Sequence, residues 1–169
     1  MKGKPFHDLL RDKFPFKPTK SQEKGFKAIS EFLTNSKKNK ILLIKGYAGT
    51  GKTTLIGHLV KHLSLVKKKS ILLAPTGRAA KVLSSYAGNS SYTIHKKIYF
   101  TQSHTEGSEI KFSLKENKHT NTVFIVDESS MIGDDRKENK FFENGSLLND
   151  LVYFVRSGEN CQLIFVGDI

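Results

Sequence analysis

Gly46-Tyr47-Ala48-Gly49-Thr50-Gly51-Lys52-Thr53 follows the apolar run Ile41-Leu42-Leu43-Ile44 and precedes Leu55, Ile56, Leu59, Val60, Leu63 and Val66, which recur at helical spacing. A G-x-x-x-x-G-K-T string between a strand and a helix is the setting of a phosphate-binding loop, which implies ATP or GTP as ligand. Glycines let the backbone curl so that successive N–H groups point inward at a polyphosphate, and the following helix adds its positive N-terminal end. Lys52 is placed to reach the β- and γ-phosphates and Thr53 to hold Mg2+; Gly46, Ala48, Gly49, Thr50, Gly51 and Thr54 complete the cradle.

Such a site needs an acid at the end of another buried strand, because the metal takes oxygen ligands and an attacking water needs a base. Thr122-Val123-Phe124-Ile125-Val126-Asp127-Glu128 supplies both. Asp127 is the candidate Mg2+ ligand, acting through the ion's water shell, and Glu128 the group that orients or deprotonates water. Alone, the pair reads equally well as a strand-end turn or helix cap; coupled to Lys52, it favours hydrolysis over nucleotide storage. A last apolar run, Gln162-Leu163-Ile164-Phe165-Val166, ends in Gly167-Asp168. A carboxylate there would stand at the ligand-binding edge of a parallel sheet.

These groups must be carried by strands and helices in alternation. Thr19-Lys20-Ser21-Gln22 has the form of a capping box and opens a helix with Phe26, Ile29, Phe32 and Leu33 on one face. Ser70 to Ala74 reads as a second strand, and Ala79, Ala80, Val82 and Leu83 as the helix after it. Strand, helix, strand, helix implies an α/β fold, a parallel sheet with right-handed crossovers and helices on both faces. Residues 101–121 are polar, with a possible hairpin around Gly107, and a second polar stretch spans Asp134 to Asn144. The helix containing Leu147, Leu148, Leu151, Val152 and Val155 should stop at Gly158. His104 and His119 read as solvated rather than metal-binding, since no second ligand pair has site-like spacing. Residues 1–18, with Pro5, Pro15 and Pro18 among Phe6, Phe14 and Phe16, read as an irregular basic arm ahead of one domain at 19–169.

A chain of 169 residues suits one domain burying roughly two-thirds of its unfolded surface. Lys and Arg number 28 against 16 acidic residues, a net +12 that suggests a polyanion such as DNA or RNA, or else a solvated surface. Lysines 37, 38, 40 and 67 to 69 fall in apparent loops. The single cysteine, Cys161, excludes a disulfide framework within the chain, reads as a buried small residue and fits a reducing cytoplasm. No apolar run reaches a membrane span, so a soluble, intracellular protein without a membrane partner is expected.

Six segments in order resemble the RecD-like helicases of superfamily one: Gln22 ahead of a helix, residues 46–53, Ala74-Pro75-Thr76-Gly77-Arg78-Ala79-Ala80-Lys81, Thr93-Ile94-His95, Val126-Asp127-Glu128-Ser129-Ser130-Met131 and Val166-Gly167-Asp168. The resemblance covers about residues 19–169. It implies a RecA-like P-loop NTPase fold, ATP and Mg2+ as cofactors, and five-prime to three-prime unwinding of DNA from single strands and duplex junctions. By the same likeness Gln22 is the adenine-reading glutamine, and Asp168 belongs to the nucleotide site. Thr76, Arg78, Thr93 and His95 then fall in segments that touch single-stranded DNA. Read without the family, Arg78 could equally pair with a surface acid and His95 could be a packed core histidine.

The family's next motif adds a γ-phosphate-sensing Gln, and its second RecA-like lobe supplies arginines to the transition state. Neither is found up to Ile169, so the chain is expected to be a fragment or truncated product that hydrolyses ATP poorly alone. A GTPase lacks support, because no Asn-Lys-x-Asp string occurs. A small-molecule kinase would want an arginine-rich lid, and only Arg11, Arg78, Arg136 and Arg156 are present. A basic nucleic-acid-binding module with a vestigial nucleotide site stays open as the third reading.

Overall fold

The computed structural model describes residues 4–35, 40–100, 112–133 and 141–168. Strands β1 (Ile41–Lys45), β2 (Lys69–Ala74), β3 (Ser91–Thr93), β4 (Thr122–Val126) and β5 (Gln162–Gly167) form one sheet in the order β1-β5-β4-β2-β3, with every neighbouring pair parallel. Helices are α1 (Phe6–Asp12), α2 (Lys20–Thr34), α3 (Lys52–His62), α4 (Gly77–Ala87), α5 (Ile94–Ile98) and α6 (Leu147–Ser157), with short 3-10 turns at Leu63–Val66 and Ser129–Met131. This is the expected α/β architecture of a P-loop NTPase.

The central strands are covered on both faces, which explains why β4 is apolar at four consecutive positions, Val123 to Val126, and wholly buried. Val123 and Ile125 point to one layer, packing with Phe26 and Ile29 of α2, Leu55 and Leu59 of α3 and Leu83 of α4. Phe124 and Val126 point to the other, against Ile94 and Ile98 of α5 and Leu151, Phe154 and Val155 of α6. At the sheet's edge β1 is covered on one face only: Leu42 and Ile44 join the first layer while Leu43 stays 52% exposed.

The residues read as an irregular arm contain α1, and the reason is a spacing of four: Phe6, Leu10 and Phe14 are all buried in the first layer. A buried ring holds this segment down. His58 of α3 bonds the Leu10 carbonyl through Nε2 at 2.7 Å, packs edge to face with the Phe14 ring and lies tilted against the Phe26 ring. Burial presses the His58 pKa below its ordinary value of 6.5, against the opposing pull of the Leu10 bond.

Other readings need correction. β3 was not expected, being only three residues long at an edge. His119 is half-buried with its ring edge against Phe124, rather than solvated, and burial lowers its pKa. Gly158 does follow α6, but at φ −82 it is not a left-handed cap; a Cβ there would come within 2.5 Å of Asn117 Nδ2 and 2.7 Å of Cys161 Sγ. Cys161 itself is half-buried, and Lys69 lies inside β2 rather than in a loop. Gly107, His104 and residues 134–140 lie outside the described residues. Beside them, Tyr99 and Leu114 form an isolated antiparallel bridge.

The end of the second polar stretch is fixed by one carboxylate. Asp150, fully buried in α6, accepts from the Tyr99 hydroxyl (2.7 Å), from the backbone N–H groups of Glu143 (3.2 Å) and Asn144 (2.7 Å), and from Asn144 Nδ2 (2.8 Å). Burial and this neighbour push the Tyr99 hydroxyl pKa far upward. Asp150→Ala strands several buried donors, at about 3 kcal/mol in all. By differential scanning calorimetry Tm should fall by roughly 6–12 °C, and Asp150→Asn, which keeps one acceptor oxygen, should lose less.

Candidate nucleotide site and nucleic-acid edge

Parallel pairing brings the ends of β1, β5 and β4 side by side, so the loop after β1 borders Asp168 after β5, which borders Asp127 after β4. The loop turns through two left-handed glycines, Gly49 at φ +78 and Gly51 at φ +84. Gly51 is also the N-cap of α3, and a Cβ on it would stand 3.0 Å from the Gln22 side-chain nitrogen. The dihedral demands glycine there, and any side chain would also have to push Gln22 aside.

Lys52 opens α3 and folds back across the loop. Its Nζ donates to the Gly46 carbonyl at 2.7 Å and the Tyr47 carbonyl at 2.9 Å, and sits 2.6 Å from Asp168 Oδ1. An ammonium has three donors, so all three are engaged. A polyphosphate reaching this position must displace at least one partner. Asp168, 47% exposed, is the one that can turn away to solvent, whereas the two carbonyls belong to the loop itself.

Asp127 is buried at the end of β4, its Oδ1 accepting from the Glu128 N–H at 3.0 Å and its own N–H donating to the Leu73 carbonyl at 3.0 Å. Burial raises its pKa above the ordinary 3.8; Glu128 and Asp168 add to this, while the Glu128 N–H and Lys52 oppose it. The adjacent Glu128 is exposed and held in the left-handed region at φ 53, ψ 36, a costly conformation for a non-glycine residue that turns the backbone sharply between the two carboxylates. The turn is clamped by Gly167, where a Cβ would stand 2.7 Å from Ser129 Oγ.

The Thr53 hydroxyl on α3 and the Asp127 carboxylate are both hard oxygen donors, the kind that Mg2+ takes. A divalent cation beside Asp127 would also offset the burial that chiefly raises its pKa, and the smaller repulsion from Glu128 and Asp168. In donor chemistry these two residues suit the ion.

A cavity of about 760 Å³ extends from Lys52 and the loop, past Gln22, Gly25 and Leu55, to Phe14 and Phe16. Gln22 serves two purposes. Its backbone and side chain complete the capping box with Thr19, the Oε1 accepting the Thr19 N–H at 2.9 Å, and its Nε2 faces the loop at Gly51. Sequence reasoning missed Phe14 and Phe16 as lining residues. Phe14 is buried, Phe16 is 67% exposed, and their rings meet edge to face at 6.3 Å. An exposed aromatic six residues ahead of Gln22 was the available signal.

The nucleic-acid candidates lie further along the same edge. Thr76 caps α4 and Thr93 caps α5, each accepting a backbone N–H at 3.2 Å, after paired strands in which Ala74 is opposite Thr93. Arg78 is exposed and has no acidic partner among the described residues, against the reading of a surface ion pair. His95 takes the packed reading: its half-buried ring lies 5.7 Å from Tyr99 and 5.4 Å from Phe112, and burial lowers its pKa. Three strand spacings to β2 and four to β3, about 14–19 Å, separate this group from the loop strand.

A family model described as an AAA domain matches residues 30–169. Among curated proteins, an uncharacterised protein of Methanocaldococcus jannaschii is 32% identical over 87% of this chain and 12% of its own length. The ATP-dependent DNA helicase dda of Enterobacteria phage T4 is 34% identical over 70% of this chain and 27% of its own. The multifunctional conjugation protein TraI of Escherichia coli is 26% identical over 79% of this chain and 7% of its own. The chain thus spans between 7% and 27% of the length of these relatives.

The raised Asp127 pKa carries a sign. The folded state prefers the neutral carboxyl, so the ionised group destabilises the fold above the ordinary value of 3.8. Asp127→Asn, which keeps the acceptor for the Glu128 N–H, should raise Tm at pH 7 and lose that advantage as pH falls through the raised pKa toward 3.8. An unchanged or lowered Tm at pH 7 would contradict the electrostatic reading of this corner.

Proposed function

The chain belongs to the AAA domain family, and from that premise we propose that it is the ATP-binding motor lobe of a RecD-like, superfamily one DNA helicase. In this reading it binds Mg-ATP in the cavity between Phe16 and Lys52 and couples hydrolysis to movement along single-stranded DNA. Duplex unwinding, with five-prime to three-prime polarity, belongs to the whole protein, working in the cytoplasm. The observation that carries the proposal is Lys52, satisfied by two loop carbonyls and Asp168, with Asp127 in the next strand position. The printed names of the phage and Escherichia coli relatives support DNA as the substrate.

Lys52 would neutralise the β- and γ-phosphates, and the loop amides between Gly49 and Thr53 would cradle them. Mg2+, held by Thr53 and Asp127, would supply charge neutralisation at the transferred phosphoryl group. Glu128, exposed at the sharp turn, would orient or deprotonate the water. Asp168, released when phosphate takes Lys52, would report on occupancy of the site. Thr76, Arg78 and Thr93 would hold the strand, with His95 supporting them from within its aromatic cluster.

No arginine lines the cavity among the described residues. Arginines in phosphoryl transfer are worth about 10³–10⁵ in rate, so a second RecA-like lobe is proposed to bring them, and the chain alone should turn over slowly.

ATP hydrolysis measured with and without single-stranded oligonucleotide tests the proposal on a version of the protein that includes the second lobe. Several-fold stimulation is expected; a rate indifferent to DNA fits a small-molecule kinase, and no hydrolysis fits a binding module with a vestigial site. In the present chain, Phe16→Ala should weaken ATP about tenfold, the size of one lost base stack. It should leave tripolyphosphate affinity unchanged, whereas Lys52→Ala should weaken both; calorimetric titration with each ligand reads the difference.

A further inference from the structure

A second cavity, of about 360 Å³, opens beside β3 and shares no lining residue with the nucleotide cavity. Its walls come from three segments: Tyr92 of β3 with Lys96 and Lys97 of α5, Lys115 and Lys118 of the strip leading into β4, and Phe154 of α6. The acidic residue in the lining, Glu116, pairs with Lys118 at 3.5 Å. Lys96, Lys97 and Lys115 have no acidic partner among the described residues.

These lysines are not merely a solvated fringe. Lys97 and Lys115 are half-buried; Lys97 Nζ stands 5.3 Å over the Tyr92 ring, and Lys115 Nζ donates to the Lys96 carbonyl at 2.9 Å, tying two walls together. Burial chiefly, and the neighbouring Lys115 in addition, press the Lys97 pKa down, so two cations share the notch without a counter-charge among the described residues. An anion in the notch would relieve that crowding. An aromatic ring beside the cations adds a surface on which a base can stack.

We propose that this notch binds the phosphodiester backbone of single-stranded nucleic acid, with Lys96, Lys97 and Lys115 facing phosphate and Tyr92 facing a base. Its volume suits a nucleotide and is too small for a duplex. Tyr92 precedes Thr93 in β3, so its side chain leaves the opposite face of that strand, and the notch lies on the flank of the sheet beside β3, apart from the carboxyl edge that carries Thr76, Arg78 and Thr93. This inference rests on the reading of the chain as a DNA-binding motor lobe and extends its footprint to residues that the motif resemblance does not include.

The test is the affinity of the chain for a fluorescent oligothymidine as a function of NaCl concentration. Lys97→Gln with Lys115→Gln should weaken binding about tenfold at 0.1 M salt and lower the slope of log K against log salt by about 1.4, two single-strand phosphate contacts. A charge-matched control on the exposed face of α2, Lys24→Gln with Lys27→Gln, should change affinity less than twofold. Tyr92→Ala should weaken binding several-fold at an unchanged slope, and melting curves for each variant verify folding. Equal losses in the notch pair and the control would overturn the proposal, leaving only diffuse charge attraction. Tripolyphosphate binding lost in parallel, with Tyr92→Ala silent, would make the notch a plain anion pocket and overturn the single-strand assignment. If the unmodified chain fails to bind the oligonucleotide at all, the motor-lobe reading falls with it.

Discussion

One ammonium group organises the functional edge of this protein. Lys52 Nζ gathers the Gly46 and Tyr47 carbonyls and the Asp168 carboxylate within 2.6–2.9 Å. Its charge also opposes the raised pKa of Asp127, which burial chiefly sets and to which Glu128 and Asp168 add. The contact also holds the loop in a curled form before any ligand arrives. Preorganisation of this kind reduces what a polyphosphate must spend on ordering its site.

The fold exists to make that gathering possible. Parallel strands put their carboxyl ends on one edge, and the order β1-β5-β4 places the loop, Asp168 and Asp127 in succession. Rigidity comes from β4, buried on both faces, and from two helical layers anchored on it. Strain is confined to the turn that needs it: Glu128 adopts a left-handed backbone immediately after the most buried strand, backed by the Ser129 contact with Gly167. At the far end of the same edge Thr76 and Thr93 cap two helices, so each loop that borders the edge is tied to the helix it opens.

Much of this was legible in the sequence because the signals were local. The strands at β1, β2, β4 and β5 are β-branched and leucine runs, the capping box at Thr19 and Gln22 is a four-residue pattern, and the glycine string fixes its own conformation. What escaped was set by distant neighbours. Prolines around Phe6 and Phe14 suggested an irregular arm, but the spacing of Phe6, Leu10 and Phe14 let that segment bury three side chains against α2 and α3. β3 has three residues and exists through its pairing with β2. Phe16 belongs to the nucleotide cavity only because α1 docks, and His119 is half-buried only because Phe124 lies beneath it. Gly158 looked like a helix terminator for its flexibility, yet it is required by the closeness of Asn117 and Cys161.

The central claim is that Lys52 exchanges Asp168 for a triphosphate while keeping its place on the loop. A crystal structure of this chain with Mg2+ and a nonhydrolysable ATP analogue measures it directly. The account predicts phosphate oxygens on Lys52 Nζ, Asp168 turned toward solvent, Asp127 on the metal side and the base beside Phe16 and Gln22. An analogue bound elsewhere, with Lys52 still paired to Asp168, would contradict it.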